Sequence, residues 1–192
     1  MSENSAKPYL LKFWYRPGTV VRALLEAQHG HALALGCALV FGALQTLPFY
    51  LADPDVSPLI IIFGAAVGWF GLYLFSWLLR NFGRWFGAQA KLSDMRIALG
   101  WGLLPWTVLF AVVALLVSRG ENAETVTSLA PVLFGGFIYG YVLILLSVAA
   151  ALKLSALKAF LCLIVTCVVS IFPLTLLAQF VASAFGVNAI AP

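Results

Sequence analysis

The stretch LAPVLFGGFIYGYVLILLSVAAA, residues 129–151, decides the fold, because it holds no Asp, Glu, Lys, Arg or His from end to end. A helix rises 1.5 Å per residue, so about 20 apolar residues cross the ~30 Å hydrocarbon core of a bilayer. A helix also satisfies its backbone polar groups internally, as lipid requires. Four further runs read the same way, at 31–51, 59–79, 97–117 and 159–180, and only His31, at the edge of the first, is ionisable among those five residue types. The expected fold is all-α: a polytopic membrane protein built as a five-transmembrane-helix bundle over residues 31–180.

Composition points the same way. The 192 residues are 63% hydrophobic and 9% charged, with a mean hydropathy of +1.03. A soluble domain carries about a quarter charged residues, so this chain could not cover a water-facing globule. No small-residue cleavage site follows the polar opening Met1–Pro8, and no removable signal peptide is expected.

Orientation follows from the cations. Lys7, Lys12, Arg16 and Arg22 precede the first span, Arg80, Arg84, Lys91 and Arg96 lie between the second and third, and Lys153 and Lys158 between the fourth and fifth. The remaining loops hold one basic residue, Arg119, against Asp53, Asp55, Glu121 and Glu124. The positive-inside rule then places the N-terminus in the cytoplasm and the tail 181–192 outside, in a multi-pass cell-membrane protein (the inner membrane, for a bacterial source). Within residues 1–30, Val20, Val21, Leu24 and Leu25 share one helical face with Arg22 and Glu26 opposite. This predicts an amphipathic helix at the cytoplasmic interface, anchored by Phe13, Trp14 and Tyr15.

Small residues four apart let helix backbones approach in lipid. Ala38 and Gly42, Gly64 and Gly68, and Gly136 and Gly140 form such pairs and are the expected packing positions. Pro105, between Trp101 and Trp106, should bend or end its helix, and with Tyr139 these residues outline a possible groove.

One pattern recurs on the predicted cytoplasmic side. Thr19–Leu25, Ser93–Leu99 and Ser155–Leu161 share [ST]-x-x-[RK]-x-x-L, each just before apolar helix. Ser or Thr there suits an N-cap, which puts Arg22, Arg96 and Lys158 near the positive end of a helix dipole, where an anion would compensate. Thr19, Arg22, Ser93, Arg96, Ser155 and Lys158 are therefore the candidate contacts for anionic lipid headgroups or a partner. The plainer alternative is that the cations snorkel to headgroups without any defined site.

Catalytic chemistry finds little purchase. No span carries a paired ionisable residue of the kind proton relays use, and no phosphate-binding loop, zinc-protease motif or nucleophile elbow is present. Cys37, Cys162 and Cys167 lie in apolar runs and form neither a disulfide framework nor a metal set. A metal enzyme would have to gather His29, His31 and Asp94. The reading is non-enzymatic, with no cofactor, no metal and no nucleic-acid partner.

The segment Phe13-Trp14-Tyr15-Arg16-Pro17-Gly18-Thr19-Val20-Val21-Arg22-Ala23-Leu24-Leu25 resembles the opening of bacterial Yip-domain proteins. Gly83–Gly87, Ser93–Leu99, Ala98-Leu99-Gly100-Trp101 and Leu104-Pro105 resemble that family's second cytoplasmic loop and third span, and Lys153–Leu161 its third cytoplasmic segment. The resemblance implies five spans, a cytosolic N-terminus and no catalytic residue. It also implies a role in organising membrane through lipid or protein contacts, as eukaryotic members do with Rab-type GTPases. The alternative function is a transporter or scramblase-like pathway for a neutral solute or lipid; the oligomeric state, a homo-oligomer included, is open.

Overall fold

The structure, a computed structural model, describes residues 7–52, 56–119 and 128–184. Asp53, Asp55, Glu121, Glu124 and the tail from 185 onward, which enter the charge and topology reading, lie outside the described residues. The regular structure among the described residues is helical: α1 (Lys7–Phe13), α2 (Pro17–Glu26), α3 (His31–Ala52), α4 (Leu59–Trp85), α5 (Leu92–Gly102), α6 (Leu104–Ser118), α7 (Ala130–Leu152) and α8 (Ala156–Ala184). Four rods are long and apolar enough to cross a membrane: α3, α4, the continuous α5–α6 stretch and α7. The 29-residue α8 follows, with a described apolar stretch over Ala156–Phe172.

Backbone approach explains how α3 and α4 pair. A Cβ on Gly42 would fall inside the Gly64 carbonyl oxygen and 2.9 Å from Gly68 Cα, and one on Gly64 would lie 2.6 Å from the Gly42 carbonyl oxygen. One on Gly68 would strike the Ala38 carbonyl oxygen. Such contact leaves no room for any side chain larger than hydrogen at these glycines. The same device seats α5 on α3, where a Cβ on Gly100 would lie 2.5 Å from Ala34 Cβ, and α5 on α7, where one on Gly102 would lie 2.9 Å from Ile144 Cγ1.

The rod of α5 and α6 is interrupted at Leu103, whose own dihedrals are helical (φ −74, ψ −15). The cause lies two residues on. Pro105 has no N–H to give the Trp101 carbonyl, so the ladder loses one rung. It resumes with Thr107, whose N–H and hydroxyl both donate to the Leu103 carbonyl at 2.8 and 2.9 Å.

The core sits toward one end of the bundle. Met95 and Ile97–Gly102 of α5, Leu143, Ile144 and Ser147–Leu152 of α7, and Ala159, Cys162 and Leu163 of α8 are buried there. At the other end α6 buries only Pro105 and Ala114, while Val132, Phe134, Phe172 and other large apolar side chains face outward, as a lipid-facing surface would. Among the described residues Ser76, Ser147, Thr166 and Ser170 are the buried polar ones, and each hydroxyl donates to the carbonyl four residues back at 2.6–2.8 Å. Their polarity is thus satisfied within their own helices.

The short N-terminal helices do not sit apart from this core. Val20, Val21 and Leu24 of α2 are buried against α5 and α7, so protein covers the apolar face of the helix. Phe13, expected as an interface anchor, is instead fully buried 5.7 Å from the Trp101 ring. Trp14 stacks on Tyr139 at 6.3 Å, and the Tyr139 hydroxyl donates to the Trp14 carbonyl. Tyr139 stands roughly 20 Å along α7 from its Leu152 end at 1.5 Å per residue, whereas Gly18 at the start of α2 faces Leu146 and Ala150, nearer that end. Only Tyr15 of the three aromatics is exposed. The sequence pattern shows an apolar face; it does not show whether lipid or protein covers it.

Candidate anion-binding face

Cations gather at the end of the bundle where α2, α4 and α7 finish and α5 and α8 begin. Three adjoining grooves open there. The first, of about 640 Å³, runs between α2, the α4–α5 connection and the end of α7, with Arg22, Lys91 and Lys153 against Glu26 and Asp94. The second, of about 350 Å³, lies between the start of α2 and α7 and carries Arg16, Thr19 and Arg22. The third, of about 580 Å³, is walled by Arg80, Arg84 and Lys91 with the backbone of residues 87–92. The second and third have no carboxylate among their lining residues.

Local chemistry sets these positions. Pro17 occupies the first turn of α2, where its fixed φ suits a helix start and its missing N–H costs nothing. Thr19 is therefore the third helical residue and Arg16 the N-cap, contrary to the expected Thr19 cap. At α5 the N-cap is Lys91, and the third helical residue is Asp94, whose carboxylate accepts the Lys91 N–H at 3.2 Å. Ser93 does not cap this helix either; its hydroxyl donates to Asp94 Oδ1 at 3.2 Å. An acid, not Arg96, thus occupies the dipole-sensitive turn, and the electrostatic conflict expected at α5 is absent. Ser155 directly precedes α8, with Lys158 its third residue. Lys153 ends α7 in the left-handed region (φ 55).

Of the three repeats, the first lines the grooves described above. Arg22 stands between the first two grooves and Thr19 lines the second. Arg96 lies 4.8 Å over the Tyr73 ring, with its Nε donating to the Leu92 carbonyl at 3.4 Å. Ser155 and Lys158 are exposed, and neither they nor Arg96 and Ser93 line any of the three grooves. The sequence pattern passed over Arg16, Arg80, Arg84, Lys91 and Lys153. The available signal was Arg80 and Arg84 four apart at the end of an apolar helix, which puts both on one face.

The other singled-out residues are packed together. Trp101 is buried and donates to the Gly30 carbonyl at 3.3 Å. Trp106 stacks on Phe137 at 5.0 Å, donates to the Phe137 carbonyl at 3.1 Å, and covers Gly140, beside which Pro105 is buried. Gly136 faces Leu109, where a Cβ would meet Cδ1 at 3.0 Å. None of Trp101, Pro105, Trp106 and Tyr139 lines one of the three grooves. Among the described residues no three His, Cys, Asp or Glu side chains come close enough to hold a metal ion.

Comparison with curated proteins and with solved structures finds no match to this chain. A family model does match, that of the Yip1 domain, over residues 11–177. The matched region takes in the helical architecture from α1 into α8 together with the basic face, and the chain belongs to the Yip1-domain family of membrane proteins.

Proposed function

We propose that this chain is a non-enzymatic protein that crosses the bilayer five times, with α8 as the fifth span. Its N-terminus lies in the cytoplasm and its C-terminus outside. Its basic end faces the cytoplasm and engages anionic lipid headgroups, and through them, or through a partner protein, it organises membrane. One observation carries this reading: three adjoining grooves at a single end of an otherwise apolar bundle are lined by Arg16, Arg22, Arg80, Arg84, Lys91 and Lys153. Guanidinium and ammonium groups at the end of apolar helices meet phosphate at the bilayer boundary, where each adds about 1 kcal/mol of attraction to an anionic surface.

Within the chain, the packing glycines would hold the bundle rigid while α2, covered by α5 and α7, presents Thr19 and Arg22. Arg96 and Lys158, with the hydroxyls of Ser93 and Ser155 nearby in sequence, would add to this basic end. Native mass spectrometry of the purified protein, with anionic and zwitterionic lipids offered in equal amounts, tests the reading. Preferential retention of anionic lipid is expected, and equal retention of both classes would refute it.

A further inference from the structure

The groove between α4 and the start of α5 has features that plain snorkelling does not require. Arg80, Arg84 and Lys91 line it without a carboxylate. Arg80 is half-buried, and its Nε is buried with no hydrogen-bond partner among the described residues. A buried donor of a charged group left unpaired is costly, and the fork of a guanidinium matches phosphate oxygens two at a time. This unpaired donor is an observation independent of the charge count.

What leads away from the groove identifies the rest of the ligand. Trp69, Tyr73, Trp77, Arg80 and Arg84 follow one another at spacings of four, four, three and four, which keeps them on one face of α4. Trp69, Tyr73 and Trp77 are 45%, 37% and 51% exposed, so each ring is partly open, Tyr73 with one face under Arg96. Trp69 and Tyr73 lie 5.1 Å apart, and the Arg96 guanidinium rests 4.8 Å over the Tyr73 ring from α5. Aromatic rings with polar edges suit the glycerol level of a bilayer, with acyl chains beyond. A free phosphate would use the head of this lane and none of its length.

We infer that the α4–α5 groove is a seat for one anionic glycerophospholipid. Its phosphate is held by Arg80, Arg84 and Lys91, and its glycerol and acyl chains lie along Trp77, Tyr73 and Trp69. This rests on the headgroup reading above and narrows it to one of the three grooves.

The test uses the full chain in non-ionic detergent, titrated with phosphatidylglycerol or phosphatidylcholine of the same acyl chains and read by native mass spectrometry. Wild type should hold phosphatidylglycerol in preference, and excess inorganic phosphate should not displace it. Arg80→Gln with Arg84→Gln should weaken retention at least about tenfold, since two charge-assisted contacts are lost. Arg16→Gln with Arg22→Gln, in the neighbouring grooves, should weaken retention less than the Arg80/Arg84 pair does. Arg84→Gln alone, at an exposed position that the fold does not need, should already lower retention severalfold. Full retention by the Arg80/Arg84 variant, or loss only in the Arg16/Arg22 variant, would overturn this seat while leaving the headgroup reading standing. Complete displacement by inorganic phosphate would overturn the lipid assignment. Equal retention of both lipids by wild type would overturn the headgroup reading itself.

Discussion

Substituting Gly42 by Ala adds a single methyl group at the tightest of the described glycines. That methyl would overlap the Gly64 carbonyl oxygen and stand 2.9 Å from Gly68 Cα, both of them backbone atoms that no side-chain rotation can move. Ordinary carbon contacts lie at about 3.5–4.0 Å, so α3 and α4 must part by about 1 Å along their whole contact. Over-packing of this kind costs about 1–3 kcal/mol, and with backbone on both sides the upper end applies. Exchanging Gly for Ala in a helix returns about 1 kcal/mol of propensity. The net loss is about 2 kcal/mol, or roughly thirtyfold in the unfolding equilibrium. Gly36 supplies the internal control: it lies in the same helix, and nothing stands within 4 Å of where its Cβ would be. Gly36→Ala should be neutral or slightly stabilising. Unfolding in mixed micelles with rising SDS, followed by circular dichroism, compares the two. Equal stability of the Gly42 and Gly36 variants would refute the packing argument.

Trp101→Phe should cost about 1 kcal/mol, because it deletes the bond to the Gly30 carbonyl but keeps the ring beside Phe13. Trp101→Ala should cost about 3–5 kcal/mol through the cavity it leaves, and equal losses in the same SDS titration would contradict the assigned role. Gly30 and Gly87 both have positive φ (92 and 89), but a Cβ on Gly30 would meet Trp101 Nε1 at 2.9 Å whereas one on Gly87 meets nothing within 4 Å. Gly87→Ala should therefore show backbone strain alone, about 1 kcal/mol, and Gly30→Ala a clearly larger loss in thermal unfolding. A Gly30 variant no less stable than the Gly87 variant would count against that contact.

Apolar rods are legible in this sequence because lipid imposes one rule along their full length, and no charged residue breaks it between Leu129 and Ala151. The family was legible for a different reason: the aromatic, Arg-Pro opening and the Ser93–Leu99 and Lys153–Leu161 segments are short but spread over the matched region. Partner choice is another matter. Gly42 and Gly68 mark faces of α3 and α4, yet spacing within one helix does not say which other helix meets it. The helix starts misled because Pro17 and Asp94 each outrank a nearby hydroxyl in fixing the first turn, which moves Thr19 and Ser93 inside their helices. The site divided along the same line. Arg22 was visible from its motif, whereas Arg80 and Arg84 looked like ordinary charges at a span's end until the loop of residues 87–92 folded against them.

The four crossings before α8 would already put the three basic segments on one side of the bilayer, so the number of crossings decides the side of the C-terminus. It is measured most directly by fusing, in turn, a fluorescent protein that matures only in the cytoplasm and a phosphatase active only outside it to each terminus of the chain. Five crossings predict fluorescence from the N-terminal fusion and phosphatase activity from the C-terminal one. Fluorescence from both ends would show an even count, with α8 failing to cross.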